Sequence, residues 1–462
     1  MNYGHLFSSL EQRQIRLALV GPKGDFGRSL LVQCRALPTL HVVALCDLDI
    51  DGTLATLGSL GFRAHAVQVC TTEDEVRAAE AAGRIVLVSN HALLNSVALD
   101  LIVEATGQPE VSVLIAENAL KRGVHVVMAT KETDSVVGPY LNRLALENGV
   151  VYSTGEGDQP SNAIGLVTWA RVLGFEVVAA GKSSEYDFIY DPAAQTIDYL
   201  QERHTVPALA AAWQLGDDVA ATLAARSRAL SMLPQSATPD YCEMNIVSNS
   251  TGLSPACPAL NFPLARITEL ADIFALKEDG GILDHPGVVD VFNCLRRPDE
   301  ASFAGGVFVV VRTRDDETWQ LLKQKGHVLS RNGRYACIYL PYHLMGLETP
   351  MTIFSALLLG RPTGSAAQLP RAQMVARACR DFKAGETLAM GGHNHHIDGT
   401  VALLLERTEA EGLAPYYLAA NKRLVADIAA GGVVPLSALE LTGSALFAAW
   451  QRNPSLSVET SQ

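Results

Sequence analysis

Apolar residues in the first third of the chain come in short runs of strand length, separated by stretches with apolar residues at helical spacing. The runs lie at Ile15–Val20, at His41–Cys46, within 100–107, which is a strand with its loop, and at 124–132. Short continuous apolar runs are typical of strands buried on both faces, as in parallel sheets. The stretch at Pro109–Arg122 has the length and spacing of a helix that crosses between two such strands. We therefore predict a doubly wound parallel sheet, with helices on both faces, in residues 1–155.

The pattern changes after residue 155. An Ala/Leu-rich stretch at Val206–Leu233 predicts one or more helices, and the runs F-V-V-V and C-I-Y-L within 300–340 predict strands of an open sheet. This mixture predicts an α+β domain after the doubly wound sheet.

Composition and charge narrow the class of partner. The chain has 462 residues, 48% of them hydrophobic, and a formal net charge of −13. Nucleic acids and anionic membranes favour clustered basic faces, which this sequence lacks, so we expect a small-molecule substrate and neither of those partners. The eight cysteines stand singly without a C-x-x-C pair, and no apolar run reaches the length of a membrane span. These features predict a cytoplasmic protein with reduced thiols.

Three glycines follow the first predicted strand and open a predicted helix: L-V-G-P-K-G-D-F-G-R. A helix N-terminus offers free N–H groups and a positive dipole end, and glycine lets a pyrophosphate come close to it. We expect this loop to bind NAD or NADP through five residues: Gly21, Gly24, Asp25, Phe26 and Gly27. The alternative is a plain strand-to-helix turn, because short glycine motifs recur by chance.

Two further loops extend the predicted cofactor site. Asp47 ends the second strand about twenty residues beyond the last glycine, where an acid accepts hydrogen bonds from the adenosine ribose. An acid there favours NAD over NADP, although Asp47 would also suit a helix N-cap. The strand and loop at 100–107 add Ala105, Thr106 and Gly107.

Two lysines stand at predicted strand ends. Lys131 follows the strand at His125–Ala129, and Lys182 follows a strand at Phe175–Gly181. Ligands bind outside the carboxyl ends of strands in open α/β sheets, so either lysine is a candidate to hold a substrate oxygen or carry a proton. We predict that both are catalytic and that Lys131 also touches the cofactor, against the alternative of solvated surface groups.

An acidic loop follows the last strand of the first domain. Glu156 and Asp158 are two residues apart and can point into one cleft as oxygen ligands of Mg²⁺ or Mn²⁺. We predict that they are catalytic and bind a metal, with Gln159 and Asn162 as substrate-binding groups. The alternative is a helix N-cap box before a helix at 161–173.

Other polar groups lie in apolar surroundings. Asn249 and His343 are predicted substrate-binding residues, with a satisfied core group as the alternative. The stretch H-N-H-H-I-D at 393–398 invites a zinc assignment. Histidines so close together rarely chelate one metal well, and we interpret the His393–His396 cluster as a solvated hairpin.

Several segments resemble one family. They are G-V-H-V-V-M-A-T-K-E, V-V-Y-S-T-G-E-G-D-Q-P-S-N, C-E-M-N-I-V-S-N-S-T-G-L, Y-L-P-Y-H-L-M-G-L-E-T-P and G-R-P-T-G. Together they are similar to homoserine dehydrogenase-like oxidoreductases with a C-terminal SAF-type domain, the group that includes the 1-deoxy-D-xylulose 5-phosphate reductoisomerase-like (DRL) enzymes. The resemblance implies a Rossmann domain at 1–155, a catalytic and dimerisation domain at 156–372, and an SAF-like β domain with a polar tail at 373–462. It also implies a homodimer.

Three functions compete at this stage. The resemblance implies a reductoisomerase that converts 1-deoxy-D-xylulose 5-phosphate to 2-C-methyl-D-erythritol 4-phosphate, a step of isoprenoid precursor synthesis, with NADPH and a divalent cation. Asp47 and the lack of an obvious basic cluster for a phosphate favour instead an NAD-dependent dehydrogenase of a polyol, sugar acid or homoserine-like amino alcohol. A non-catalytic nucleotide sensor is the third hypothesis, although a sensor has no need of the lysines and acids above.

Overall fold

The computed structural model describes residues 2–10, 13–392 and 395–454. These residues form two compact units. Unit 1 comprises residues 2–161, 344–370 and 441–454, and unit 2 comprises residues 162–343 and 371–440. The predicted SAF-like segment is therefore shared between the units, and the three-part division stays a prediction. No helix among the described residues has the length and apolar character needed to cross a membrane.

Unit 1 contains a seven-stranded sheet in which every neighbouring pair is parallel. Its strands are β1 (Ile15–Val20), β2 (Leu40–Cys46), β3 (Val67–Val69), β4 (Ile85–Val88), β5 (Leu101–Glu104), β6 (His125–Met128) and β7 (Tyr152–Thr154). They lie in the order β3-β4-β2-β1-β5-β6-β7. The predicted doubly wound sheet is thus confirmed. The chain turns from one half of the sheet to the other between β1 and β5, where α/β folds bind ligands.

Unit 2 contains a mixed sheet of ten strands. Its strands are β8 (Glu176–Ser183), β9 (Phe188–Asp191), β10 (Thr196–Tyr199), β11 (Glu202–Thr205), β12 (Ser254–Pro255), β13 (Leu264–Ala265), β14 (Val288–Arg296), β15 (Val307–Arg312), β16 (Val328–Leu329) and β17 (Tyr335–Leu340). They lie in the order β11-β10-β9-β14-β8-β15-β17-β16, with β12 and β13 beside β14. This arrangement confirms the predicted open sheet.

Two antiparallel pairs complete unit 2. They are β18 (Ala372–Ala378) with β21 (Thr400–Glu406), and β19 (Met390–Gly391) with β20 (His396–Ile397).

Helices connect these strands. In chain order they are α1 (Tyr3–Leu6), α2 (Asp25–Ala36), α3 (Ile50–Ser59), α4 (Glu73–Ala81), α5 (Pro109–Lys121), α6 (Lys131–Glu147), α7 (Gln159–Val172), α8 (Val219–Ala229), α9 (Thr238–Thr251), α10 (Leu270–Ile273), α11 (Asp316–Gln324), α12 (Thr349–Phe354), α13 (Tyr416–Ala419) and α14 (Ala445–Trp450). Short 3₁₀ turns occur at Ala64–Ala66, His91–Ser96, Pro207–Ala212, Ile267–Glu269, Lys277–Asp279 and Leu436–Ala438, and a π-helical turn at Ser355–Leu359.

Each unit has its own apolar core. In unit 1, strand residues such as Leu17, Leu45 and Val103 pack with helix residues that are fully buried. In unit 2, aromatic rings carry much of the packing, and Phe274 stacks on Phe308 with ring centroids 4.9 Å apart. Two independent cores of this kind are what separate domains require.

Helix α6 begins earlier than the sequence predicts. The sequence predicts a strand at 124–132 and then a helix at Pro139–Asn148. Instead β6 ends at Met128, α6 begins at Lys131, and Pro139 lies inside it. The first two turns of α6 are almost entirely buried, and packing of that face outweighs the cost of an interior proline.

Strand β8 continues past its predicted end at Gly181. Lys182 lies inside the strand, opposite Val291 of β14 and Val307 of β15. A Cβ on Gly181 would come within 1.9 Å of the carbonyl oxygen of Asp290, so this glycine permits close strand pairing rather than ending the strand.

Candidate functional site

The three glycines after β1 have different structural roles. Gly21 has φ +78°, and a Cβ there would lie 2.3 Å from the carbonyl oxygen of Ala105. A Cβ on Gly27 would lie 2.6 Å from the carbonyl oxygen of Gly21. A Cβ on Gly24 would meet no atom within 4 Å. The first and third glycines are therefore required by backbone packing, whereas the middle one faces open space.

That open space lies at the start of a twelve-residue helix. Gly24 is the N-cap of α2 and has no side chain to cap the helix, and Asp25 and Phe26 form the first turn with Gly27. The first N–H groups of a helix seek an acceptor, and its dipole favours an anion. A Cβ at Gly24 would fill this cradle, so the loop fits the pyrophosphate of NAD(P).

A cavity of about 250 Å³ lies beside the loop, at the carboxyl ends of the strands of unit 1. It is lined by Val20, Gly21, Cys46, Asp47, Leu48, Ser89, His91, Thr106, Gln108, Val111 and Ile115. The half-buried Asp47 accepts a hydrogen bond at Oδ1 from the backbone N–H of Asp49 at 2.9 Å, and Asp49, rather than Asp47, caps α3. Lys23, between the first two glycines, forms an ion pair with Asp49.

A buried carboxylate forms a hydrogen bond with the loop after β5 and holds it in place. Glu104 is fully buried and accepts hydrogen bonds from the hydroxyl of Ser112 at 2.6 Å and from the N–H of Thr106 at 3.1 Å. Burial raises the pKa of Glu104, against these hydrogen bonds. The N–H of Gly107 donates to Thr130 Oγ1 at 3.0 Å. The predicted residues Ala105, Thr106 and Gly107 thus form a held loop, and Ala105 packs against Gly21.

Lys131 and Asp158 come together in unit 1. Lys131 Nζ lies 3.3 Å from Asp158 Oδ1, and the lysine side chain is 24% exposed while the aspartate is 7% exposed. The same carboxylate oxygen accepts a hydrogen bond from the N–H of Gln159 at 3.0 Å, at the start of α7. The cation is thus held beside an acid yet stays partly accessible, as a group that exchanges protons with a ligand must be.

Glu156 is held by neighbouring hydroxyls and faces a second acid. Ser161 Oγ donates to its carboxylate at 2.7 Å, and its own N–H donates to Thr352 Oγ1 at 2.7 Å. Burial raises its pKa. Burial and repulsion by Glu156 likewise raise the pKa of Glu348. Glu348 lies against Gly157, where a Cβ would come within 2.8 Å of its own Cβ.

The described residues contain no group of three or more His, Cys, Asp or Glu side chains arranged to hold a metal. Two buried oxygens near the acidic loop nevertheless have no hydrogen-bond partner within the described structure, namely Glu348 Oε2 and Gln159 Oε1. Such oxygens are suitable donors for Mg²⁺ or Mn²⁺. The donor chemistry fits a divalent cation, although three carboxylates do not converge on one point.

Lys182 lies in unit 2 and forms a buried ion cluster. Its side chain is 1% exposed, and Nζ contacts Asp240 Oδ1 at 2.7 Å and Glu243 Oε2. Ser184 Oγ donates to the other oxygen of Asp240 at 2.9 Å. Burial lowers the pKa of Lys182, but the two carboxylates outweigh it and raise the pKa overall. A lysine held in this way stays protonated, which favours a positioning role over proton exchange.

The predicted substrate-binding residues lie in different surroundings. Asn249 is buried in α9, and its Oδ1 accepts a hydrogen bond from the N–H of Ala372 at 2.9 Å, which favours the alternative of a core group. Asn162 is buried inside α7. His343 is half-buried in the segment after β17. Their roles stay predictions.

The histidine-rich stretch forms a hairpin in its described part. His396 lies in β20, which pairs with β19, whereas His393 lies outside the described residues. The ring of His396 is half-buried rather than solvated, and its Nδ1 lies 3.0 Å from Thr238 Oγ1.

Sequence reasoning missed several groups. Asp240 and Glu243 are separated by one turn of α9 and so share a face, but nothing in the pattern pairs that face with Lys182. Ser89 follows a buried strand, β4, and its place beside Asp47 could have been found from strand order. Glu348, in the run L-E-T-P, is far from Glu156 in sequence, and neither helical spacing nor strand order indicates that the two acids lie close together.

One sequence family matches the middle of the chain. Residues 157–349 match the family described as oxidoreductase DRL, catalytic domain. This segment is therefore similar to the catalytic domain of DRL oxidoreductases. The resemblance predicted from the sequence is thereby confirmed, and the matched segment begins at the acidic loop and includes Asp158, Lys182, Asp240 and Glu243.

Solved structures with related folds include a hyperthermophilic archaeal homoserine dehydrogenase in complex with NADPH, at 13% identity over 76% of this chain and 99% of that chain (TM-score 0.37). DOX-P reductoisomerase in complex with NADPH, fosmidomycin and magnesium matches at 16% identity over 52% and 59% (TM-score 0.32). A dehydrogenase from Chromobacterium violaceum matches at 19% identity over 37% and 46% (TM-score 0.26). The chain thus spans about half of the length of the latter two. No curated protein matches the sequence.

Proposed function

We propose that this protein is an NAD(P)H-dependent oxidoreductase, and specifically a reductoisomerase that converts 1-deoxy-D-xylulose 5-phosphate to 2-C-methyl-D-erythritol 4-phosphate. The observation that carries the proposal is the match of residues 157–349 to the DRL oxidoreductase catalytic domain. The open cradle at Gly24 supports the cofactor, because it leaves a helix N-terminus free for a pyrophosphate. The homoserine dehydrogenase and the DOX-P reductoisomerase named above were solved in complex with NADPH.

When bound, NAD(P)H would supply the hydride that reduces an aldehyde formed by rearrangement of the ketose, and the resulting alkoxide would need a proton. Lys131 is the candidate donor of that proton, because it is partly exposed and held by Asp158. Glu156, whose pKa burial raises, is a candidate to take up a substrate proton. Lys182 would fix Asp240 and Glu243 rather than react.

A divalent cation belongs to the proposal. Glu156, Asp158, Glu348 and Gln159 are the candidate oxygen ligands, and the last two have buried oxygens without hydrogen bonds within the described residues. When bound, Mg²⁺ or Mn²⁺ would polarise a substrate hydroxyl and carbonyl.

The decisive experiment follows NADPH oxidation with 1-deoxy-D-xylulose 5-phosphate, with Mg²⁺ or Mn²⁺ and then with EDTA. We expect turnover only with the ion, and loss of at least about 100-fold in Glu156→Gln and Asp158→Asn, with NADPH affinity nearly unchanged. NADPH oxidation that continues in EDTA would contradict the proposed metal requirement. If no NADPH is oxidised with either ion, the proposed substrate is wrong.

The cofactor site has its own test. Gly24→Val places a side chain in the cradle without touching the protein, so NADPH affinity should fall at least about tenfold while the melting temperature changes little. Gly58→Val is the matched control, because a Cβ on this α3 glycine also meets no atom within 4 Å. Equal affinities in the two variants would remove the pyrophosphate from this loop.

The second candidate function is an NAD-dependent dehydrogenase of a polyol, sugar acid or homoserine-like amino alcohol. Asp47 favours it, because this acid lines the cavity after β2 and would repel the 2′-phosphate of NADPH. Asp47→Ala should then shift preference toward NADPH. Metal-independent oxidation of such an alcohol with NAD, without activity on the ketose phosphate, would replace the first proposal. A chain that binds nucleotide but turns over neither class would be a sensor.

Three further expectations accompany the proposal: a cytoplasmic location, an SAF-like role for the segment that begins at residue 373, and a homodimer. All eight cysteines are free thiols, as a cytoplasmic protein requires. Sedimentation analysis of the full chain tests the dimer.

A further inference from the structure

A second cavity, of about 560 Å³, lies within unit 2 and takes no part in the proposed chemistry. One wall is a face of α8, where four residues recur at helical spacing: Ala220, Leu223, Ala224 and Ser227. The segment 259–264 and strand β21 form the other walls. We call this cavity the α8 groove.

The α8 groove has one sign of charge. Arg377 is the exposed residue of β18 and lines the groove, in register with Val401 of β21. No Asp or Glu is among the described residues that line the groove, and Arg377 is the single cation there. The chain as a whole carries a net charge of −13. An isolated arginine on a mostly apolar cavity is a recognition group for an anion with an apolar body.

One wall of the groove is held in a costly backbone conformation. Leu260 and Phe262 have φ +50° and +44°, which side chains of this size rarely adopt. Between them, the backbone N–H and the Nδ2 of Asn261 donate to the buried carboxylate of Asp290, at 2.8 and 2.5 Å. Strained residues that the surrounding structure fixes in place are common at binding sites. The wall is therefore preformed rather than collapsed onto the cavity.

A smaller cavity of about 250 Å³ adjoins the groove. The two share Ser236, Tyr241, Val401 and Ala402, and His396 lines the far end. Tyr241 is fixed there, because its hydroxyl donates to the carbonyl of Ala259 at 2.6 Å. An extended molecule is thus a better occupant than a compact one.

We propose that the α8 groove binds a small monocarboxylate with an unbranched apolar chain. The carboxylate would accept two hydrogen bonds from the guanidinium of Arg377, and the chain would lie along Leu223 and Ala224. A dianionic phosphate suits the groove less, because no second cation among its described lining residues would balance the extra charge.

Isothermal titration of the full chain with butyrate, hexanoate and octanoate tests this site without reference to turnover. We expect affinity to rise up to about fourfold for each added methylene that is buried. Arg377→Gln should weaken hexanoate binding at least about tenfold, because a charge-assisted pair is lost. Arg228→Gln is the matched control, since Arg228 is an exposed arginine of α8 outside the groove lining and should bind hexanoate normally.

A second variant separates shape from charge. Ala224→Trp adds an indole to an exposed wall position, so it should block hexanoate while the melting temperature is kept. Equal binding of hexylamine or hexanol, or hexanoate binding that survives both Arg377→Gln and Ala224→Trp, would overturn the proposal. A third outcome would also overturn it: the parent chain is a dimer that binds no hexanoate, and Ala224→Trp is a monomer. A second copy of the chain would then cover the groove.

Discussion

Lys131 and Lys182 carry the same signal in the sequence, and the structure places them in opposite environments. Lys131 faces one acid at 3.3 Å and keeps 24% of its side chain exposed. Lys182 is 1% exposed and contacts two carboxylates of α9. A strand-end pattern therefore predicts where the lysine lies along the backbone. The residues that contact its ammonium group are far away in sequence, and the pattern does not predict them.

The comparison also separates two kinds of work. A partly exposed cation beside one acid can exchange a proton with a ligand. A buried cation between two acids costs little only while the cluster is complete, because each charge has lost its water. Lys131 thus stays accessible to a ligand, whereas Lys182 holds α9 on the sheet of unit 2.

The largest expected effect is on stability. Lys182→Met leaves Asp240 and Glu243 buried without their cation, which should lower the free energy of unfolding by about 3–5 kcal/mol. Three of the four tryptophans, Trp169, Trp213 and Trp319, lie in unit 2, so tryptophan fluorescence during urea unfolding reports mainly on that unit.

Lys131→Met is the matched control in unit 1. Lys131 contacts the carboxylate of Asp158 and keeps more of its side chain in solvent than Lys182 does, so its loss should lower the free energy of unfolding less than the loss of Lys182. If Lys182→Met unfolds at the same urea concentration as the parent chain, the cluster does not hold unit 2 together and the contrast between the two lysines fails.

The next effect is on turnover. Lys131→Met should reduce kcat by about 100-fold or more if Lys131 donates the proton, since general acid catalysis contributes about that much. The measurement is NADPH oxidation with the ketose phosphate, alongside NADPH titration to confirm that cofactor binding survives. Lys131→Arg keeps the charge but donates a proton poorly, so it should stay slow. Normal kcat in Lys131→Arg would reduce Lys131 to an electrostatic role.

The sequence predicts the features of the fold that depend on neighbouring residues better than those that depend on residues far apart in the chain. The strand at Ile15–Val20 was predicted with its observed bounds, because its apolar run and the glycine loop that follows are local features. The predicted start of α6 at Pro139 was wrong, because the residues that bury its first turns lie elsewhere in the chain. Local propensity gives way wherever tertiary packing is strong.

The site shows the same limit. Gly21, Gly24 and Gly27 were singled out together from their spacing, but only the structure separates two packing glycines from the one that leaves a cradle. Lys131 and Asp158 were predicted separately, and their contact joins residues 27 positions apart. Asp240, Glu243 and Glu348 were missed because each meets its partner across long stretches of sequence.

The smallest expected effect extends the contrast to buried acids and to pH. Burial raises the pKa of Asp134 in α6 to about 6, and Tyr152 donates a hydrogen bond to it at 2.8 Å. The folded chain therefore holds a proton that the unfolded chain, with an ordinary pKa of about 3.9, releases first. Its contribution to stability is present below about pH 4 and is lost as pH rises to about 6, by roughly 1–3 kcal/mol.

Asp134→Asn removes this titration while the amide oxygen still accepts from Tyr152. Hydrogen exchange of α6, corrected for the intrinsic effect of pH, should show that the difference in protection between variant and parent grows from pH 4 to pH 6 and then stays constant. Asp290 of unit 2 is the internal control, because burial raises its pKa to about 6 as well and the variant leaves it unchanged. The fluorescence-detected unfolding of unit 2 should therefore keep its parent pH dependence. A difference in α6 protection that does not vary between pH 4 and 6 would mean that Asp134 is ionised in the folded chain throughout this range, and burial would not raise its pKa.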